Sequence, residues 1–271
     1  MITEKIELLG KGLYKNIPDQ LTLKALPTIS ELDYVGSEDF DETMLTKILP
    51  QAIEENIDVN QLLEIDYQWI CRCLRLLNFG PYHTTNSIFC TNCGKTSYGD
   101  FQVNLETIKC EPLPEGFTND IVITSDNFID FKGEIRLRLP TIRQILESYK
   151  DKAFKRPDGY TNKELARICY MIYAIKDKTG VAPIEVKLMI ENELSPADYV
   201  MLRDTVAKVT NYGLRAGGFA VCPKCGHPDA AFIALTDDRF FRCTVDDLRK
   251  WRDDRNSRKS KDVSGNKKAT V

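Results

Sequence analysis

The chain has 271 residues, 42% hydrophobic and 28% charged, with a formal net charge of −3. That is enough chain and enough apolar content to bury a real core, and it excludes collagen-like and wholly disordered classes. No apolar run approaches the ~18 residues of a membrane span, and Met1-Ile2-Thr3-Glu4-Lys5 lacks the positive stretch and following apolar run of a signal peptide. Nine cysteines without an export signal point to a reducing cytoplasm, where metal binding is a better reading than disulfides.

After an irregular start, Tyr14 to Leu26 reads as a hairpin with Pro18-Asp19 at its turn and Leu21-Thr22-Leu23-Lys24 as a half-buried strand. Thr28 with Glu31 forms a capping box for a helix. A second helix begins near Asp41, with Leu45, Ile48, Leu49, Ala52 and Ile53 on one face, and Pro50 predicts a kink or a break in it. Asp66 is expected to cap a third helix whose apolar face holds Trp69, Ile70, Cys73, Leu74 and Leu77. Cys71 and Cys73 point to nearly opposite sides of it, so they read as core thiols rather than a chelating pair. The helix should stop at Phe79-Gly80-Pro81, with a strand following around 101–105.

The order then repeats. Phe128 to Leu139 reads as a hairpin turning at Lys132-Gly133, and Leu139-Pro140-Thr141 leads into a helix capped by Thr141 with Gln144. Further helices are predicted behind Thr161 with Glu164, from Ala182-Pro183 to Glu193, and from Ser195-Pro196, the last placing Leu202, Val206 and Val209 inward. A strand near 232–235 and a helix over Thr244–Asp254, with Thr244 and Asp247 as its cap and Leu248 and Trp251 as its contacts, close the fold.

Two stretches stand apart: Phe89-Cys90-Thr91-Asn92-Cys93-Gly94-Lys95 and Val221-Cys222-Pro223-Lys224-Cys225-Gly226-His227. Each is Cys-x-x-Cys-Gly behind an apolar residue, the signature of a zinc knuckle. Two intervening residues let both sulfurs converge, and the glycine permits the tight turn behind them. Cys90, Cys93, Cys222 and Cys225 together supply the four thiolates of one closed structural Zn2+ site. Buried free thiols and a thioredoxin-like redox pair are the competing readings; the second wants a single Cys-x-x-Cys in a βαβ unit. One knuckle begins at Cys90 and the other at Cys222, so the metal would join distant parts of the chain.

Leu-Pro-Thr-Ile occurs at 26–29 and again at 139–142, and Asp66-Tyr67 precedes Cys90 by the same interval as Asp198-Tyr199 precedes Cys222. These spacings predict an α+β fold made of internally duplicated strand–helix units joined by a split four-Cys zinc ribbon. The expected division is 1–115 and 116–245 for the two repeats, then a basic, largely disordered tail over 246–271. From Arg249 to Val271, nine Lys/Arg against three Asp give +6, which leaves −9 for the rest of the chain. The tail reads either as an arm for nucleic acid or an acidic partner, or as a solvated terminus.

No catalytic constellation emerges. Gly94-Lys95-Thr96 ends like a phosphate-binding loop, but Phe89 stands where its first glycine belongs. Of the two histidines, His83 is placed in a loop and His227 beside the second knuckle, outside the ligand set. Four cysteines leave a zinc ion no open position for catalysis. Cys110, Cys169 and Cys243 read as core or strand-end thiols.

The run Asp66-Tyr67-x-x-Ile70, then Leu74-Arg75-Leu76-Leu77-Asn78-Phe79-Gly80, then Cys90-x-x-Cys93 and an alternating strand, resembles the baseplate hub subunits and hub assembly chaperones of T4-type contractile-tailed bacteriophages. The likeness extends to the strand entering a Leu-Pro-Thr turn and covers residues 20–110, and 130–235 more loosely. The second copy keeps Asn211-Tyr212-Gly213 but has Lys208-Val209-Thr210 where the first has Arg75-Leu76-Leu77. The resemblance implies a non-enzymatic role in building the tail hub in the host cytoplasm, with other baseplate or hub proteins as partners. A zinc-ribbon nucleic-acid-binding factor is the alternative reading of the knuckles, Lys95, Lys224 and the basic tail.

Overall fold

The computed structural model describes residues 2–27, 39–215, 217–232, 241 and 244–254. The fold is a mixed one of helices and antiparallel sheet. It opens with β1 (Thr3–Glu7) paired to β2 (Gln20–Lys24), so the partner of the predicted strand comes from the segment read as irregular. Only Ile6 of β1 is buried, which leaves no alternation for a sequence reader to see, whereas Leu21 and Leu23 of β2 are fully buried. The Thr28–Glu31 capping box falls outside the described residues.

The helical segment α1 (residues 40–52) runs Phe40–Thr43, then a π-helical turn Met44–Ile48, then Leu49–Ala52, behind Asp39 as N-cap. Pro50 does not end it, but the α-helix is interrupted just ahead of it: Pro50 lies in the first turn of the Leu49–Ala52 piece, so two helical pieces meet there, as the sequence suggested. Proline lacks an N–H and its ring presses on the preceding turn; here the wider turn lies directly ahead of it, with the Leu49 N–H bonded to the Met44 carbonyl. Leu45, Ile48, Leu49, Ala52 and Ile53 are buried as the periodicity predicted.

Helix α2 (Glu64–Phe79) starts two residues before Asp66, with Leu63 at its N-cap. Asp66 is therefore not the cap. Its carboxylate reaches out of the helix to the backbone N–H groups of Leu9 and Gly10 and to the Tyr14 hydroxyl. Ile70, Cys71, Cys73 and Leu74 are buried, and burial pushes the Cys73 thiol up to about 12, as befits a core thiol. Arg75 is fully buried yet charged. Its guanidinium donates to the carbonyls of Gly80 (2.9 Å) and Tyr82 (2.7 Å), at the negative end of the helix dipole.

Strands β3 (Tyr82–Phe89) and β4 (Thr96–Asn104) form the first long hairpin; His83 lies in β3 and is buried rather than looped out. After β5 (Cys110–Glu111) comes a four-stranded antiparallel sheet in the order β6 (Ile121–Ile123), β7 (Ile135–Leu137), β8 (Ile172–Ile175), β9 (Lys178–Thr179). The partner of β7 on the hairpin side lies at 121–123, not next to Phe128. Strand β8 lies where the apolar periodicity of the preceding helix runs on unbroken. Its hairpin with β9 is turned by Lys176 at φ +53 instead of by a glycine.

Helices α3 (Ile142–Lys150), α4 (Lys163–Met171), α5 (Pro183–Glu193) and α6 (Pro196–Val209) carry the second half. The Thr141–Gln144 capping box and the Ser195 cap are present. Asn162, not Thr161, caps α4; the Thr161 hydroxyl donates to the Tyr149 carbonyl instead. Then come β10 (Gly213–Leu214) on β5, and a second hairpin of β11 (Gly217–Val221) with β12 (Pro228–Phe232). Last is α7 (residues 245–254).

Among the described residues, two large cores and a small cluster of Leu63, Ile65 and Leu139 fill this frame. The larger joins β1, β2, α1 and α2 with Ile142 and Leu146 of α3, Leu214, Cys222 and Phe241, so the late part of the chain contributes to the core of the early part. The second lies between the four-stranded sheet and α4–α6. The two are stitched where the Glu64 N–H donates to the Pro140 carbonyl and the Ile142 N–H to the Leu62 carbonyl. The Glu64–Arg167 ion pair (2.7 Å) and the Glu42–Arg143 pair (3.0 Å) close over the same seam.

Candidate metal centre

The two hairpins bring the knuckles together. The sulfurs of Cys90, Cys93, Cys222 and Cys225, drawn from widely separated positions in the chain, all lie within 4.8 Å of one another. Cys90 Sγ is 3.5 Å from Cys225 Sγ, and Cys93 Sγ is 3.9 Å from Cys222 Sγ. Four thiolates around a tetrahedral ion with metal–sulfur bonds of about 2.3 Å would stand about 3.8 Å apart. The donor set can therefore hold a single tetrahedral metal ion, and all four residues singled out from the sequence take part.

Each knuckle is built by the same two backbone bonds. The Gly94 N–H donates to the Cys90 carbonyl and the Cys90 N–H to the Lys95 carbonyl; the Gly226 N–H donates to Cys222 and the Cys222 N–H to His227, all at 2.8–3.0 Å. Gly94 and Gly226 sit at φ +63 and +70, a conformation that glycine adopts without steric cost. Burial raises the Cys222 thiol, but backbone N–H groups of Lys224 and Cys225 aimed at the sulfur outweigh it and bring the group down to about 7, toward the thiolate a metal requires.

The first cysteine of each knuckle is buried, while Cys93 is half-buried and Cys225 exposed, with the Asn92 amide 3.8 Å from the Cys225 sulfur. The site is thus sealed from the protein side and open to solvent along one side. His227 is exposed and contributes its backbone carbonyl to the knuckle. Lys224 crosses to the other hairpin, its Nζ donating to the Thr96 carbonyl at 2.8 Å.

The ribbon is fixed to the body reciprocally. β12 lies against β3 and β11 against β4. The segment after the first hairpin, β5, pairs with β10 at the entrance to the second, and the Arg215 N–H donates to the Lys109 carbonyl. The helix after the second hairpin, α7, packs on the entrance to the first. Trp251 covers Gly80, Tyr82 donates to Asp254, and the buried Asp247 accepts from both Thr84 Oγ1 and Gln102 Nε2 at 2.9 Å. The Thr244–Asp247 cap predicted from sequence is present. Leu248 departs from expectation and is exposed. Sequence reasoning did not find the second role of Asp247, because its partners lie far back along the chain, in β3 and β4.

Cys110 lies in β5 and Cys169 is buried in α4, neither near the four-thiol cluster; Cys243 is outside the described residues. No helix among the described residues is long and apolar enough to cross a membrane. The chain matches no family model, no curated protein and no solved structure.

Proposed function

We propose that this chain is a non-enzymatic assembly or structural protein of a phage tail baseplate hub, acting through protein–protein contacts and held in shape by one structural Zn2+. The observation that carries the reading is the four-cysteine cluster drawn from two widely separated parts of the chain. Four protein thiolates leave a zinc ion no site for water or substrate, so the ion's work is to clamp. Zinc is the metal that this sulfur-only tetrahedral set favours among non-redox ions. The buried carboxylates Asp66, Asp198 and Asp247 are taken up by backbone and side-chain donors of neighbouring segments, which fits structural roles better than acid–base chemistry. The phage assignment itself rests on the resemblance of the Asp66–Gly80 and Cys90–Cys93 stretches.

We further propose that the chain is internally duplicated, each copy bringing half of the metal centre. The matched knuckle bonds, the positive φ of Gly80 (+73) and Gly213 (+88) after Asn-aromatic pairs, and the reciprocal packing of the two hairpins support it. The assembly reading is tested by co-expression with each tail protein encoded beside this chain, followed by size-exclusion chromatography. A stable complex with one of them is expected. If none of the pairings gives a complex, the assembly role falls.

A further inference from the structure

The tip of the ribbon presents a face that the assembly reading leaves unused. Phe89 pairs with Thr96 and Ser87 with Tyr98 across β3 and β4, so Phe89 and Tyr98 are diagonal neighbours on one face of the hairpin. Both are exposed, Tyr98 at 83% and Phe89 at 55%, and the hydroxyl residues between them, Ser87 and Thr96, are exposed as well. Lys224 reaches the Thr96 carbonyl from the other hairpin, so its ammonium group lies beside the Phe89–Thr96 pair, and Lys95 adjoins Thr96 in sequence. The segments 85–98 and 217–228 contain no Asp or Glu, although positions 1–248 of the chain sum to −9.

We propose that this face binds single-stranded nucleic acid, with unpaired bases stacked on Tyr98 and Phe89. Exposed aromatic rings on a β-ribbon accept any base by its π-face, and hydroxyl and ammonium groups beside them take sugar and phosphate oxygens. A divalent ion with four thiolates carries a net −2, which Lys95 and Lys224 offset, so the tip itself is close to neutral. The sequence 255–271 has six Lys/Arg against one Asp, so its charge is a separate, non-stacking contribution that the test must subtract. That segment follows α7, whose last residue, Asp254, is bonded to Tyr82 at the base of the same hairpin. The rings supply stacking and Lys224 a charge beside them, while the net negative charge of the body disfavours a polyanion elsewhere on the molecule.

The test uses the purified full-length protein and a fluorescein-labelled oligothymidine of about 20 nucleotides. Fluorescence anisotropy follows binding from about 50 to 200 mM salt. Binding is expected to weaken about tenfold in Tyr98→Ala and in Phe89→Ala, while Tyr98→Phe retains it. Truncation after Asp254 should flatten the salt dependence without removing the effect of Tyr98→Ala. Metal content and melting temperature, measured in parallel, should be unchanged in the Tyr98 variants, since that side chain is outside the core. Absence of binding at low salt would overturn the proposal. So would binding that disappears on truncation but ignores both aromatic substitutions, which is the behaviour of a basic tail alone. Loss of a protein complex in Tyr98→Ala with oligonucleotide binding unaffected would assign the face to a protein partner instead. The inference does not depend on the assembly reading, and the two fail separately.

Discussion

Asp66 and Asp198 occupy the same place in two helices and do the same work. Each is the third residue of its helix, each is followed by tyrosine, and each stands at the same interval before the first cysteine of a knuckle. Both are fully buried, and both accept backbone N–H groups from the loop of a hairpin far upstream: Leu9 and Gly10 onto Asp66, Ile129, Asp130 and Phe131 onto Asp198. A buried backbone donor that loses its acceptor costs about 1–3 kcal/mol. Asp66→Ala orphans two such donors and is expected to destabilise the protein by about 2–4 kcal/mol. Asp198→Ala orphans three and should be at least as damaging. Chemical denaturation of the two variants checks this. A loss below about 0.5 kcal/mol in Asp66→Ala would mean that its loop is held by other contacts.

The two carboxylates differ in charge balance. Burial dominates at Asp66 and raises its pKa, despite the donors from Tyr14, Gly10 and Leu9. At Asp198 burial also pushes upward, but the N–H groups of Ile129, Phe131 and Asp130 prevail and hold the group below its usual range. The clearest pH effect comes from a third group, Asp41, which burial raises to about 6 even though the Tyr67 hydroxyl donates to it at 2.6 Å. An acid whose folded pKa is raised binds more protons in the native state than in the unfolded one. Its contribution to stability therefore falls as pH rises, here between about 4 and about 6. The full shift corresponds to at most about 3 kcal/mol. Asp41→Asn should remove that slope, seen as a flatter dependence of the denaturation midpoint on pH across this window. An unchanged slope would place the effect elsewhere.

The contrast between Asp66 and the knuckles shows what was legible in the sequence. The four-cysteine cluster could be read because each half is encoded in one short run: two cysteines, a fixed gap and a glycine that the turn demands. The capping boxes at Thr141 and Thr244 were legible for the same reason, since both partners sit within one turn. Asp66 also looked like a cap, but the atoms that satisfy it belong to Leu9, Gly10 and Tyr14, and no local pattern announces partners so remote in the chain. Strand β8 was hidden differently. Ile172-Tyr173-Ala174-Ile175 continues an apolar run out of α4, and only pairing with β7 decides between helix and strand. Pro50 was legible as a disturbance of the helix, but nothing in the sequence shows that a π turn over Met44–Ile48 joins the two pieces that meet there.

Gly80 is a position where one methyl group should be felt at a distance. Its φ is +73, and a Cβ there would fall 2.5 Å from two ring atoms of Trp251. The positive φ alone costs a non-glycine residue about 1–2 kcal/mol, and the added Cβ would also overlap the indole of Trp251. Gly80→Ala is expected to push α7 off the base of the β3–β4 hairpin. This predicts a lower melting temperature together with a red-shifted emission from Trp251, read in a background where Trp69 is replaced by Phe. Trp251→Ala should restore part of the stability lost in Gly80→Ala, because it removes the clash. If the double variant is as unstable as the sum of the single ones, the two residues do not oppose each other as the contact implies.

The four-cysteine cluster makes the strongest demand on the molecule. Cys90 belongs to a hairpin that follows α2, Cys222 to one that follows α6, and both are buried in the core that also contains Leu74, Val103 and Phe241. If one ion joins them, purified protein should contain one equivalent of metal per chain by elemental analysis. Cys90→Ser and Cys222→Ser should each lose it, although the two residues belong to different hairpins. A structural ion bound to the native state alone adds its binding free energy to folding. Both variants should therefore melt well below the parent protein, and chelator treatment of the parent should reproduce their melting temperature. Half an equivalent retained in either variant would mean that each knuckle binds on its own. Metal-free protein with unchanged melting in Cys222→Ser would reduce the cluster to core thiols. The reciprocal packing of β12 on β3 and β11 on β4 would then have to hold the ribbon together unaided.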